Sequence, residues 1–158
     1  MTIHNEIVMA AQEGKLELVE RFLDEGVSPD AVNIAKASAL QAAAGSGHTE
    51  VALRLMERGA SVNPPELPGS GTPPLNAAAK VGDVRLVRRF LAAGAEVDAR
   101  DMNDQTALIW ATGDGNVEVV AALVGAGADA TWVDAYGGSA LTLARSRGFD
   151  ACLALLDS

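Results

Sequence analysis

Apolar residues fall at fixed offsets behind a recurring glycine. Four, five, eight and nine positions after Gly14 stand Leu18, Val19, Phe22 and Leu23. The same offsets give Val51, Ala52, Leu55 and Met56 after Gly47, then Leu86, Val87, Phe90 and Leu91 after Gly82. After Gly115 they give Val119, Val120, Leu123 and Val124. On a helix these offsets line one face, so each set predicts an amphipathic helix with its polar residues outward.

A second helix is predicted ahead of each glycine. Short apolar blocks begin at Val8, Leu40, Leu75, Leu108 and Leu141, and Asn5, Ser38, Thr106 and Ser139 precede four of them. Those residue types cap helix N-termini through a side-chain oxygen. In the third block Pro73-Pro74 takes this place, and proline is tolerated in a first turn. A further glycine series, Gly26, Gly59, Gly94 and Gly127, ends each helix that follows the first glycine.

The pattern is periodic. Gly14, Gly47, Gly82, Gly115 and Gly148 are separated by 33, 35, 33 and 33 residues, and the second glycine series and the leucines 40, 75, 108 and 141 keep the same phase. Three series in one phase define a repeat of helix, glycine turn, helix and extended connector. The units fall at about residues 1–33, 34–66, 67–100, 101–133 and 134–158 of a single domain. Polar residues at both ends, from His4 and Glu13 to Arg147 and Asp157, suit terminal units whose outer faces nothing covers. The expectation is a self-contained protein of five units.

Within these units, Thr106-Ala107-Leu108, Ala77-Ala78, Gly47-His48, Gly94-Ala95-Glu96-Val97-Asp98 and Gly127-Ala128-Asp129 resemble the ankyrin-repeat signature across essentially the whole chain. The resemblance implies an all-α solenoid of stacked helix-turn-helix units with hairpin-like finger loops. It also implies a non-catalytic protein-binding module whose partners contact the fingers and the exposed side of each first helix. The family's Thr-Pro-Leu-His is nowhere intact, because Gln41, Asn76, Ile109 and Thr142 stand where the histidine would. The two extra residues of the third repeat fall in 63–74, which holds five of the six prolines. That stretch cannot form a regular hairpin, since proline removes ladder donors. It reads either as an accommodated insertion or as a recognition loop.

Composition agrees with the repeat. The chain of 158 residues is 49% hydrophobic but only 4% aromatic, and it holds 30 alanines. Few aromatics means no large central core, and alanine suits closely packed short helices. A net charge of −9 opposes binding to nucleic acid or to an anionic membrane surface. No apolar run is long enough to cross a bilayer, and the first residues lack the pattern of a signal peptide. With one cysteine there is no intrachain disulfide, and a cytoplasmic monomer is expected.

Catalytic and metal-binding patterns are weak. His48 reads as a helix-start residue, His4 as solvated, and Cys152 as a small core side chain in register with Val51, Leu86 and Val119. Asp98, Asp101, Asn103 and Asp104 crowd one finger but lack the alternation and closing glutamate of a calcium loop. Gly69-Ser-Gly71 and Gly113-Asp-Gly115 are too short to cradle a nucleotide. No cofactor, metal or catalytic residue is expected.

Surface chemistry remains. Between Ala95 and Gly137 eight acidic residues face one basic residue, Arg100. Such a rim would steer a basic partner. Arg, Trp, Tyr and Met are enriched at interface hot spots. The candidate contacts are therefore Arg100, Met102, Asp104, Asp114, Trp132 and Tyr136. Trp132 either projects from its finger or packs beneath its neighbour, whereas Trp110, between Leu108 and Ala111, is expected in the core. Two other roles stay open, a self-associating structural repeat and a small-molecule, metal-binding or enzymatic site on the acidic fingers.

Overall fold

In a computed structural model, residues 2–65 and 71–158 are described. Five helix pairs follow one another: α1 (Ile3–Gln12) and α2 (Leu16–Asp24), α3 (Ala39–Gly45) and α4 (Thr49–Glu57), α5 (Pro74–Val81) and α6 (Val84–Ala92). The fourth and fifth pairs are α7 (Ala107–Gly113) with α8 (Val117–Gly125), and α9 (Ala140–Arg147) with α10 (Asp150–Leu156). Odd-numbered helices stack on one another as an inner row and even-numbered helices as an outer row. The molecule is a helical solenoid, and no strand occurs among the described residues.

Local chemistry sets the helix starts. Ser38, Thr106 and Ser139 each accept a hydrogen bond from the backbone N–H three residues on, at Gln41, Ile109 and Thr142. Asn5 is a correction, because α1 starts earlier and Thr2 holds the cap position. The Asn5 side chain instead accepts from the Ile34 N–H at 3.2 Å, tying α1 to the first connector.

Alanine builds the core. Ala39, Ala43, Ala44, Ala78, Ala79, Ala107, Ala111, Ala140 and Ala144 are buried along the inner row. Leu40, Leu75 and Leu108 lie between successive pairs, and Phe90 is the largest fully buried side chain. Small residues let neighbouring helices approach closely, so each pair buries a modest face on the next and no central cluster of rings is needed.

Side chains rather than strands shape the connectors. Asn33, Asp101 and Asp134 each accept from the N–H groups two and four residues on, closing their loops. A second set joins successive connectors: Asp30 accepts from the Ser61 N–H, Asn63 from Glu96 and Asp98 from Asp129, at 2.7 to 2.9 Å. Among the described residues one isolated β-bridge joins Val32 and Ser38, and the backbone N–H groups of Asp101 and Asp134 donate across their loops to the Gln105 and Gly138 carbonyls. The proline-rich insertion at 63–74 falls partly on residues 66–70, outside the described residues.

The outer row carries ion pairs in register, Arg54 with Glu20, Arg58 with Asp24 and Arg85 with Glu50. Exposed pairs of this kind contribute at most about 1 kcal/mol each, so they support the stack without determining it.

Candidate functional site

The helix and connector geometry gathers two tryptophans and a tyrosine around the loop 101–105. Asp101 is buried, with one carboxylate oxygen occupied by the Asn103 and Gln105 N–H groups. Its other oxygen accepts from the Trp110 indole at 2.9 Å. Trp110 is therefore not a core residue. It stands half-buried on the inner side of α7, where Ala42 and Ala77 hold the matching places on α3 and α5. The Lys80 ammonium lies 4.3 Å from the centre of its ring, a cation–π contact. Reading its neighbours Leu108 and Ala111 as a buried block concealed this. The same register, two positions after the repeat leucine, holds a half-buried Ala42 and a buried Ala77, so place in the repeat alone does not tell the exposure of the ring.

Trp132 belongs to the next connector and resolves both ways. It is half-buried, its indole donates to the Asp104 carbonyl at 2.8 Å, and the Arg100 guanidinium lies 4.6 Å from the ring centre. Arg100 also approaches the Asp104 carboxylate at 3.7 Å. Three of the sequence candidates, Arg100, Asp104 and Trp132, thus form one cluster. Asp104 has a φ of 56°, a left-handed conformation that aspartate tolerates better than most residues and that turns the loop toward Trp132.

Tyr136 is 75% exposed, yet its hydroxyl donates to the Asn103 side chain at 3.1 Å. The Ala135 N–H donates to the Asn103 carbonyl, so two bonds hold this finger to the previous one. Asp134 anchors the base of the finger. Burial pushes its carboxyl pKa up, but donors from the Gln105 side chain and the Gly138 and Tyr136 N–H groups outweigh burial and hold it below the ordinary carboxylate value. Asp129 is also lowered, chiefly by the Thr131 hydroxyl and N–H. Met102 is 70% exposed at the loop tip, and Asp114 is exposed where α7 meets α8.

The acidic side chains do not converge. Among the described residues no group of three His, Cys, Asp or Glu side chains is placed to share a metal ion. Asp98 serves a backbone donor, Asp101 and Asp134 serve backbone donors and one side chain each, and Asp104 serves Arg100. Cys152 is buried, and burial pushes its thiol pKa up. His48 is the residue preceding α4, with its ring against Gly14.

Stacked helix pairs joined by aromatic and acidic connectors define a repeat protein of the helical-solenoid class. The family described as "Ankyrin repeats (3 copies)" matches residues 7–101 and again 75–158. The chain belongs to the ankyrin-repeat family, whose repeats mediate protein–protein interaction. It is 34% identical over 110 residues to the B-cell lymphoma 3 protein homolog of Mus musculus, covering 70% of this chain and 24% of that protein. It is 31% identical over 134 residues to a putative ankyrin repeat-containing protein of Treponema pallidum (strain Nichols), covering 84% of this chain and 44% of that one. The cyclin-dependent kinase inhibitor 2A of Monodelphis domestica is 36% identical over 92 residues, 58% of this chain and 53% of that protein. The chain therefore spans less than half the length of the first two relatives. No helix among the described residues is long and apolar enough to cross a membrane.

Proposed function

We propose that this chain is a non-catalytic binding module. It recognises a protein partner with the inner face of α5, α7 and α9 and with the connectors at 99–106 and 131–138. Arg100, Met102, Asp104, Trp110, Asp114, Trp132 and Tyr136 supply the contacts. The supporting observation is that both tryptophans and Tyr136 are held in place by hydrogen bonds to the loop 101–105 while keeping exposed surface. Rings positioned before binding lose little freedom on association, so more of their buried area becomes affinity.

The partner surface is basic. Eight acidic residues against one basic residue between Ala95 and Gly137 raise the local concentration of a cationic partner and speed its approach. Affinity purification from the native host tests the reading. Wild type should retain a specific partner that the Trp132→Ala/Tyr136→Ala variant loses at unchanged helicity. Retention by both proteins would overturn it.

A further inference from the structure

A cleft opens between the fourth and fifth helix pairs. Trp110 and Tyr136 stand at its sides, Ile109 and Leu143 supply apolar lining, and Asp114 and Arg147 lie at its rim. Three bonds fix this shape before anything enters. Trp110 is tied to Asp101 and Tyr136 to Asn103, while Gln105 donates to Asp134 at 3.0 Å across the two connectors. Lys80 approaches Trp110 from α5, and the cleft extends from Trp110 toward α9. The two charges at the rim differ in state. The Arg147 guanidinium donates to the Gly113 carbonyl at 2.6 Å, at the C-terminal end of α7 where a cation is favoured. The Asp114 carboxylate has no hydrogen-bond or ion-pair partner among the described residues, although its backbone N–H donates to the Trp110 carbonyl.

We propose that this cleft is the socket for one long cationic side chain, lysine or arginine, of the partner. The inference rests on the binding reading above and names the group that this part of the face selects. Aromatic and aliphatic walls match the stem and flat head of such a side chain, and an uncommitted carboxylate at the mouth meets its charge. The negative charge of the surrounding connectors favours the same sign of ligand. Arg147 is the opposing element: a fixed positive charge at the rim weakens the fit.

The test is a titration of isotopically labelled protein, followed by nuclear magnetic resonance. The probes are Ac-Gly-Ser-Arg-Ser-Gly-NH2, its lysine counterpart and its citrulline counterpart, which keeps the arginine shape without charge. The charged peptides should shift the Trp110 indole and the Gly113, Asp114 and Tyr136 amides in a saturable way, and citrulline should not. Asp114→Asn should weaken binding about three- to fivefold and Arg147→Gln should strengthen it by a similar factor, as expected for single exposed charges. Asp150→Asn, an exposed charge on the outer row, should leave affinity unchanged. Equal binding of citrulline, or equal effects of Asp114→Asn and Asp150→Asn, would overturn the socket. A partner still lost by the Trp132→Ala/Tyr136→Ala variant would then leave the broader binding reading standing, so the two failures are separable.

Discussion

The Trp110 indole donates to the Asp101 carboxylate at 2.9 Å, which joins the inner face of a helix to the connector that precedes it. Asp101 also closes its own loop through two backbone N–H groups. One buried side chain therefore sets the shape of the loop and the position of the ring.

Removing that side chain should affect both. Asp101→Ala takes away three hydrogen bonds, and at about 1 kcal/mol each the loss of stability should be about 2–3 kcal/mol. The urea midpoint should fall accordingly. Trp110 emission should change in the folded baseline, because the ring loses its anchor before the chain unfolds. An unchanged midpoint would show that the loop is held by packing instead.

A second contact predicts a difference between two left-handed glycines of the first repeat, one at the turn between its helices and one at the end of its second helix. Gly14 has a φ of 73°, and a Cβ built on it would lie 2.5 Å from Nδ1 of His48. Gly26 has a φ of 89°, and nothing lies within 4 Å of its Cβ direction. Gly26→Ala should cost only the left-handed backbone penalty, about 1–2 kcal/mol. Gly14→Ala should cost that and about 1–3 kcal/mol more from the overlap. His48→Ala should recover part of the second loss in a double-mutant cycle and none of the first. Equal costs at both glycines would contradict the contact.

The repeat, the helix pairs and the buried leucines were legible because the 33- and 35-residue spacings place equivalent residues in equivalent environments. The site was legible only in part. Arg100, Asp104 and Trp132 stood out by residue type in a finger, and they do converge. Trp110 was hidden because an apolar block on a short helix has an inner side open to solvent as well as a side packed on its neighbours. The register does not separate the two, because Ala77 is buried at the same place while Ala42 is half-buried. Asp101 and Asp134 close their own loops through local bonds to N–H groups two and four residues on. Their second bonds, from Trp110 and Gln105, join residues that no local pattern brings together. The oxygens of Asp98, Asp101 and Asp134 are turned to separate backbone and side-chain donors.

Cys152 offers a reporter of unfolding. Its side chain is fully buried against the outer row, and burial raises its pKa, which lowers the reactive thiolate fraction. In the folded protein a thiol reagent should react far more slowly than with a free cysteine peptide. The rate should rise with urea in step with loss of helical signal. Rapid labelling in buffer alone would mean that the last pair, α9 and α10, opens independently of the rest.

The last prediction concerns acid. Donors from Gln105, Gly138 and Tyr136 favour the ionised form of Asp134 in the fold, so its folded pKa lies below the unfolded value of 3.8. A group lowered in this way contributes fully above the unfolded pKa, and its contribution is lost as pH falls through the folded one. At pH 6 Asp134→Asn should be less stable than wild type, because an amide accepts more weakly than a carboxylate and offers the facing Gln105 side chain a donor instead. Below about pH 4 wild type should lose stability faster than the variant, so that the two urea midpoints converge. Asp129→Asn is the control: Asp129 shares the lowered pKa but lies fully exposed, so its effect on the acid limb should be smaller. A gap between wild type and Asp134→Asn that stayed constant from pH 6 to pH 2.5 would mean that Asp134 supports the finger at 134–138 independently of its ionisation. The position of Tyr136 would then not depend on the charge beneath it.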